Sequence, residues 1–310
     1  MDAAKPPDGA ARPGVWRWIV PLAVTVGGVV TLVIFLEPYG TDIRLAVDRA
    51  SIGALIAMIA LSFLALPLRT EVWRVSLAAA DRRPPRSDLH AAYAVSFLAS
   101  LANHYIGPWV KMWLLRRMEG ERAAYLLQLV AVDVADTVLE GFLAAALVIF
   151  ATFEVALAWW VPVILISAAS GMLLVAVVAQ RRYPDHPVVK GFRVLMRPRY
   201  RGKVLALLVL VFAVQIVRTW LSLKAVGLDL NLGEATLVFV VTGVLGILPT
   251  GITAAPTAAS LIVVGSHGVG RAAGSGILTT GSLVVATIAY GLVGAAVYWR
   301  ARARAPVPDL

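Results

Sequence analysis

Three carboxylic acids, Asp133, Asp136 and Glu140, stand three and four residues apart inside an apolar run, a spacing that places them on one stripe of one helix. Acids on such a stripe either pair with cations from a neighbouring segment or line a wet cavity that passes an ion or a polar group. One cation, Arg218, is likewise embedded in an apolar run. Asp136 and Arg218 each lie about 20 Å from the basic ends of their segments, so the reading lets them meet. Elsewhere Asn103, His104, Gly107, Pro108, Lys111 and Arg116 crowd one broken stretch. Their amide, imidazole and cationic groups suit a phosphate, or backbone freed by the break. A second stretch, Leu248 to Thr257, places the hydroxyls of Thr250, Thr253 and Thr257 among Pro249, Gly251 and Pro256, where freed amides could cradle an anion. A plainer use stands beside each: a pair that fixes helix register, a basic loop that sets topology, a tightly packed kink.

Other chemistry is poorly supplied. There is no cysteine, so no thiolate ligand or nucleophile. The histidines His90, His104, His186 and His267 are scattered, with no pair at metal-ligand or general-base spacing. No phosphate-binding loop for ATP occurs. The expectation is therefore no metal, no cofactor and no enzymatic activity.

The elements that must position these groups are membrane segments. Of the 310 residues, 60% are hydrophobic and 15% charged, and the apolar residues come in runs near the length that crosses a hydrocarbon core. Crossing helices are expected at Trp16 to Leu36, Ile52 to Leu68, Ala123 to Phe150, Leu157 to Ala179, Val204 to Leu223 and Ile277 to Trp299. The first is too long for a cleaved leader and reads as a retained anchor. Two further stretches, Leu89 to Trp109 and Ala235 to Gly265, are interrupted by Pro and Gly and read as re-entrant hairpins. Of the 28 Lys and Arg residues, all but Arg44, Arg49, Arg218, Lys224 and Arg271 then fall on one side, which is the cytoplasm. Both termini are cytoplasmic on this reading. The net charge of +10 sits beside apolar segments, which suits anionic lipid headgroups and not nucleic acid.

Two halves align at an offset near 150, pairing Arg69 with Arg218 and Pro108 with Pro256. Each half has three crossings and one hairpin, and an odd number of crossings inverts the second half. The expectation is an all-α integral membrane fold with an inverted-topology repeat, as in transporters that expose a substrate alternately between halves. Its divisions are a tail (1–15), a first membrane half (16–150), a second (151–299) and a closing tail (300–310). The plainer account is that any chain rich in Ala, Leu and Val yields such matches.

The turn from Asn103 to Pro108 with Arg116 after it, the Asp136 helix, the Leu-Pro-x-Gly turn, Gly268-Val269 and the Tyr290 to Gly294 helix resemble the flippase-like membrane domain of lysylphosphatidylglycerol synthase/flippases. That resemblance implies movement of an aminoacylated phospholipid or a related lipid-linked molecule, with Asp136 and Arg116 carried over. The chain departs from the family at Pro108 to Trp113, at Val132 and Asp133, and at Pro256, and the soluble transferase domain is not expected. The sequence thus points to a flippase of a bacterial inner membrane, its cavity lined by Asn103, His104, Lys111, Arg116, Asp133, Asp136, Glu140, Arg218, Thr250 and Thr253. Movement runs downhill or couples to an ion, with Asp133 or Asp136 as the proton carrier. The expected partner is a membrane lipid; a lipid-synthesising enzyme and a second copy of the chain are further candidates. The alternatives are a membrane-embedded enzyme for lipid-linked substrates and a non-transporting partner of a membrane synthase.

Overall fold

The computed structural model describes residues 30–102, 106–119, 123–152, 160–183, 186–246 and 254–304, and every regular element among them is helical. After a short helix α1 (Gly40–Asp48), α2 (Ile52–Ala79) starts from Ser51, whose hydroxyl accepts from the Ala54 amide at 3.2 Å. A pair of shorter helices follows, α3 (Arg86–Ala102) and α4 (Ile106–Glu119), then α5 (Ala123–Thr152) and α6 (Trp160–Arg182). Two short helices, α7 (Pro187–Gly191) and α8 (Arg193–Met196), lead to α9 (Pro198–Ala225). A second pair, α10 (Leu232–Gly246) and α11 (Ala255–Val264), precedes α12 (Val269–Arg304). Among the described residues α2, α5, α6, α9 and α12 are the five helices long and apolar enough to cross a membrane. The expected first crossing, Trp16 to Leu36, lies mostly outside the described residues.

Two expected spans proved short. Arg69 and Arg74 suggested an end to the second crossing at Leu68, yet α2 continues to Ala79 because Thr70, Trp73, Ser76 and Leu77 are buried against protein. A polar residue need not end a crossing when its side chain meets a neighbouring helix. The helix that carries the last expected crossing likewise begins at Val269, ahead of Ile277. Glycines along α12 let helices touch: a Cβ on Gly276 would sit 2.3 Å from the Thr257 Cα of α11, and one on Gly294 would sit 2.4 Å from the Ala94 Cβ of α3. Small residues at such contacts let helices attract by close packing where hydrocarbon gives no solvent-driven force.

Helix directions follow from side-chain contacts. Tyr93 meets Lys111 and Ser96 meets Gly107, so α3 and α4 lie antiparallel as a hairpin. Ser76 meets Asp136 and Arg69 meets Glu140, so α5 runs against α2. Met58 shares an apolar cluster with Leu223, and Val75 shares one with Leu208, so α9 also runs against α2. Ser62 meets Ser282 and Thr70 meets Tyr290, so α12 runs with α2.

The order of elements repeats. Helices α2, α3 and α5 begin at 52, 86 and 123; α9, α10 and α12 begin at 198, 232 and 269, each 146 residues later. The caps repeat as well. At the end of α2, Asp81 takes φ +62° while the Arg82 amide donates to the Leu77 carbonyl at 2.9 Å. At the end of α9, Gly227 takes φ +78° while the Leu228 amide donates to the Leu223 carbonyl at 3.0 Å. Both are helix ends closed by a left-handed residue. The register is thus 146, not near 150, and Gln215 rather than Arg218 stands at the position equivalent to Arg69.

Candidate functional site

Each acid of the α5 stripe has its own partner. Asp133 receives the Lys111 ammonium of α4 at 2.5 Å, Asp136 accepts from the Ser76 hydroxyl of α2 at 2.5 Å, and Glu140 pairs with Arg69 of α2 at 2.8 Å. Lys111 is 5% exposed, with its ammonium 4.1 Å from the Trp73 ring and 4.7 Å from the Tyr93 ring. Two aromatic faces and a carboxylate replace the water this cation would lose. Lys111 is therefore not free to meet a headgroup at the membrane surface, as its place beside Arg116 suggested. Five residues further along α4 the helix has turned away, and Arg116 lines a separate groove of about 350 Å³ with Trp109, Val110, Trp113 and Leu126.

The stripe carries three carboxyl groups and receives two cations. Asp136, buried at 7% exposure, is the member whose direct partner is a hydroxyl. It does not meet Arg218. The guanidinium of Arg218 donates to Ser62 at 3.2 Å, and Ser62 lies fourteen residues before Ser76 on α2, about 21 Å along the axis. The two depths looked equal because α9 was measured from Val204. It begins at Pro198, so Arg218 lies about 30 Å into its helix and Asp136 about 20 Å into its own.

Arg218 belongs to a second seam, along α12. Ser275 donates to Ser260 of α11 at 3.1 Å, Thr279 to Ser222 of α9 at 2.9 Å, and Ser62 to Ser282 at 3.4 Å. Further on, the Tyr290 hydroxyl lies 3.1 Å from Thr70 and 2.7 Å from His90 Nδ1, and the other ring nitrogen of His90 is 3.5 Å from Glu71. Sequence reasoning missed this seam and the partners Arg69, Trp73, Ser76 and Tyr93. The register of 146 would have found part of it, since it sets Thr279 and Ser282 at the positions of Asp133 and Asp136. Of the remaining expected site residues, Asn103, His104, Thr250 and Thr253 lie outside the described residues.

Helices of membrane length, with charged and hydroxyl side chains meeting across their contacts, define a multi-pass membrane protein. Within that class the chain belongs to the family described as the lysylphosphatidylglycerol synthase TM region, whose model matches residues 18–255. The match takes in the whole acid stripe, its partners and Arg218, and stops at the start of α11. Membership places the protein in a lipid-related membrane family. No curated protein and no solved structure matches the chain.

Proposed function

We propose that the protein moves an anionic or aminoacylated phospholipid, or a polyprenyl-phosphate-linked molecule, between leaflets of a bacterial inner membrane and leaves it chemically unchanged. The observation that carries this is Asp136, a buried carboxyl in a crossing helix that is held by a hydroxyl while the acids on either side take the cations. A carboxyl kept at that depth without an ion pair is costly unless it serves a polar path, and it is the natural proton carrier of the stripe. The α3–α4 and α10–α11 pairs are read as re-entrant hairpins. The halves are read as an inverted repeat, supported by the equivalent α2 and α9 running in opposite directions, as do α5 and α12. With both termini cytoplasmic, most basic residues face the anionic inner surface. Such halves rock about a shared site, so the headgroup passes between them while its tails stay in lipid.

In reconstituted vesicles, Asp136→Asn should slow leaflet exchange of a labelled phospholipid at least about tenfold, a barrier change near 1.4 kcal/mol. Arg44→Gln and Arg271→Gln, which alter surface cations, should leave it unchanged. Chromatography of the recovered lipid should return the starting compound. Wild-type exchange by Asp136→Asn rejects the path, and a released headgroup makes the protein an enzyme.

A further inference from the structure

Lys111, the other buried cation, has a carboxylate at 2.5 Å, and the partly buried Arg69 has one at 2.8 Å; Arg218 has none within ion-pair distance among the described residues. It is 5% exposed, its bond to Ser62 is its one hydrogen bond among those residues, and its Nε has no acceptor. A buried donor on a charged group is rarely left this way, because nothing replaces the water it has lost. Its neighbours are hydroxyls. Ser62 bonds Ser282, and Ser222 bonds Thr279 one turn along α9. A hydroxyl accepts from a guanidinium and can also turn to donate to an anion beside it. The open edge of a guanidinium is a planar fork that matches two oxygens of a phosphate.

We propose that Arg218, with Ser62 and Ser282, is a receptor for a phosphate group, either the phosphodiester of a phospholipid headgroup or a free phosphate ion. This deepens the transport reading by naming the group that is recognised, and rests on it only for the lipid as source. The site lies about 21 Å along α2 from the Ser76–Asp136 contact, so one headgroup meets the two in succession and not together.

The test uses the full chain, stripped of lipid in an uncharged detergent, with thermal unfolding followed while one of three probes is titrated. The probes are dioleoylphosphatidylglycerol, dioleoylglycerol with the same tails and no phosphate, and inorganic phosphate. Phosphatidylglycerol should raise the unfolding midpoint and dioleoylglycerol should not. Arg218→Gln should weaken the apparent affinity about tenfold or more, the S62A/S282A double variant should weaken it in the same direction, and Arg44→Gln should not. Inorganic phosphate matching the lipid assigns the receptor to the free ion; phosphate without effect assigns it to the headgroup. Equal responses to the two lipids, or a full response in Arg218→Gln, overturn the proposal. Without probe, Arg218→Gln should unfold no earlier than the wild type, since an uncompensated cation has gone. Failure of that variant to fold makes the guanidinium structural and also overturns it. Because no vesicle is involved, phosphate binding in a protein that moves no lipid rejects only the transport reading.

Discussion

At the residue scale, the stripe of α5 shows how charges persist in a crossing helix: each is met by a group from another element. The Lys111–Asp133 pair crosses from α4 to α5, so it bears on how the first hairpin docks. Lys111→Met and Asp133→Asn, alone and combined, should show a coupling of roughly 0.5–3 kcal/mol in thermal unfolding. Additive losses would mean that the contact does not hold the hairpin. The stripe itself was readable from spacing, because three acids at helical intervals leave few placements. Its partners were not, since Arg69 and Ser76 lie beyond Leu68, where charge alone suggested a loop. Outside the membrane segments, Asp81 joins the turn after α2 to the linker before α9 by accepting from Arg193 and, at 2.8 Å, from Arg197. The Arg197 hydrogen bond holds its carboxyl below the ordinary value of 3.8. A lowered folded-state value means that the contribution exists above the unfolded value and fades as pH falls through the folded one. Asp81→Asn should therefore cost up to about 1 kcal/mol near neutral pH and less near pH 2, the small size reflecting exposure to solvent. An equal cost at both pH values would assign the effect to the turn and not to the charge.

At the scale of elements, hydropathy located the five long apolar helices among the described residues, because it is a local property of the chain. Helix ends were less readable where a glycine serves packing instead of a turn. Gly276 illustrates this. A Cβ there would lie 2.3 Å from the Thr257 Cα and 2.6 Å from its amide nitrogen, both backbone atoms that cannot move aside. Gly276→Ala should part α11 from α12 and cost about 1–3 kcal/mol. Gly281→Ala meets no atom within 4 Å and should be neutral or stabilise by up to about 1 kcal/mol through helix propensity. Equal unfolding midpoints for the two variants would mean that the close approach is not a required contact. The hydroxyl seam of α12 escaped notice for a related reason. Ser and Thr pass unremarked in an apolar helix by bonding its own carbonyls, as Ser275 and Ser282 do, and only the facing helix shows their second role.

At the scale of the molecule, the offset between similar elements was legible only roughly. An offset near 150 matched residue types, whereas the capped ends of α2 and α9 and three helix starts fix 146. The difference decides which residues are equivalent. At 146 the acids of α5 stand against the hydroxyls of α12, acids with two cations in one place and hydroxyls with a guanidinium that has, among the described residues, no carboxylate in the other. On the proposed function, such asymmetry gives a path whose two ends meet different parts of a headgroup. The most direct test is leaflet accessibility in vesicles that hold the purified protein, no other protein and a trace of headgroup-labelled phosphatidylglycerol. Adding an impermeant reductant should bleach label well beyond the share that starts in the outer leaflet. Bleaching that stops at that share, as in vesicles without protein, would contradict the account.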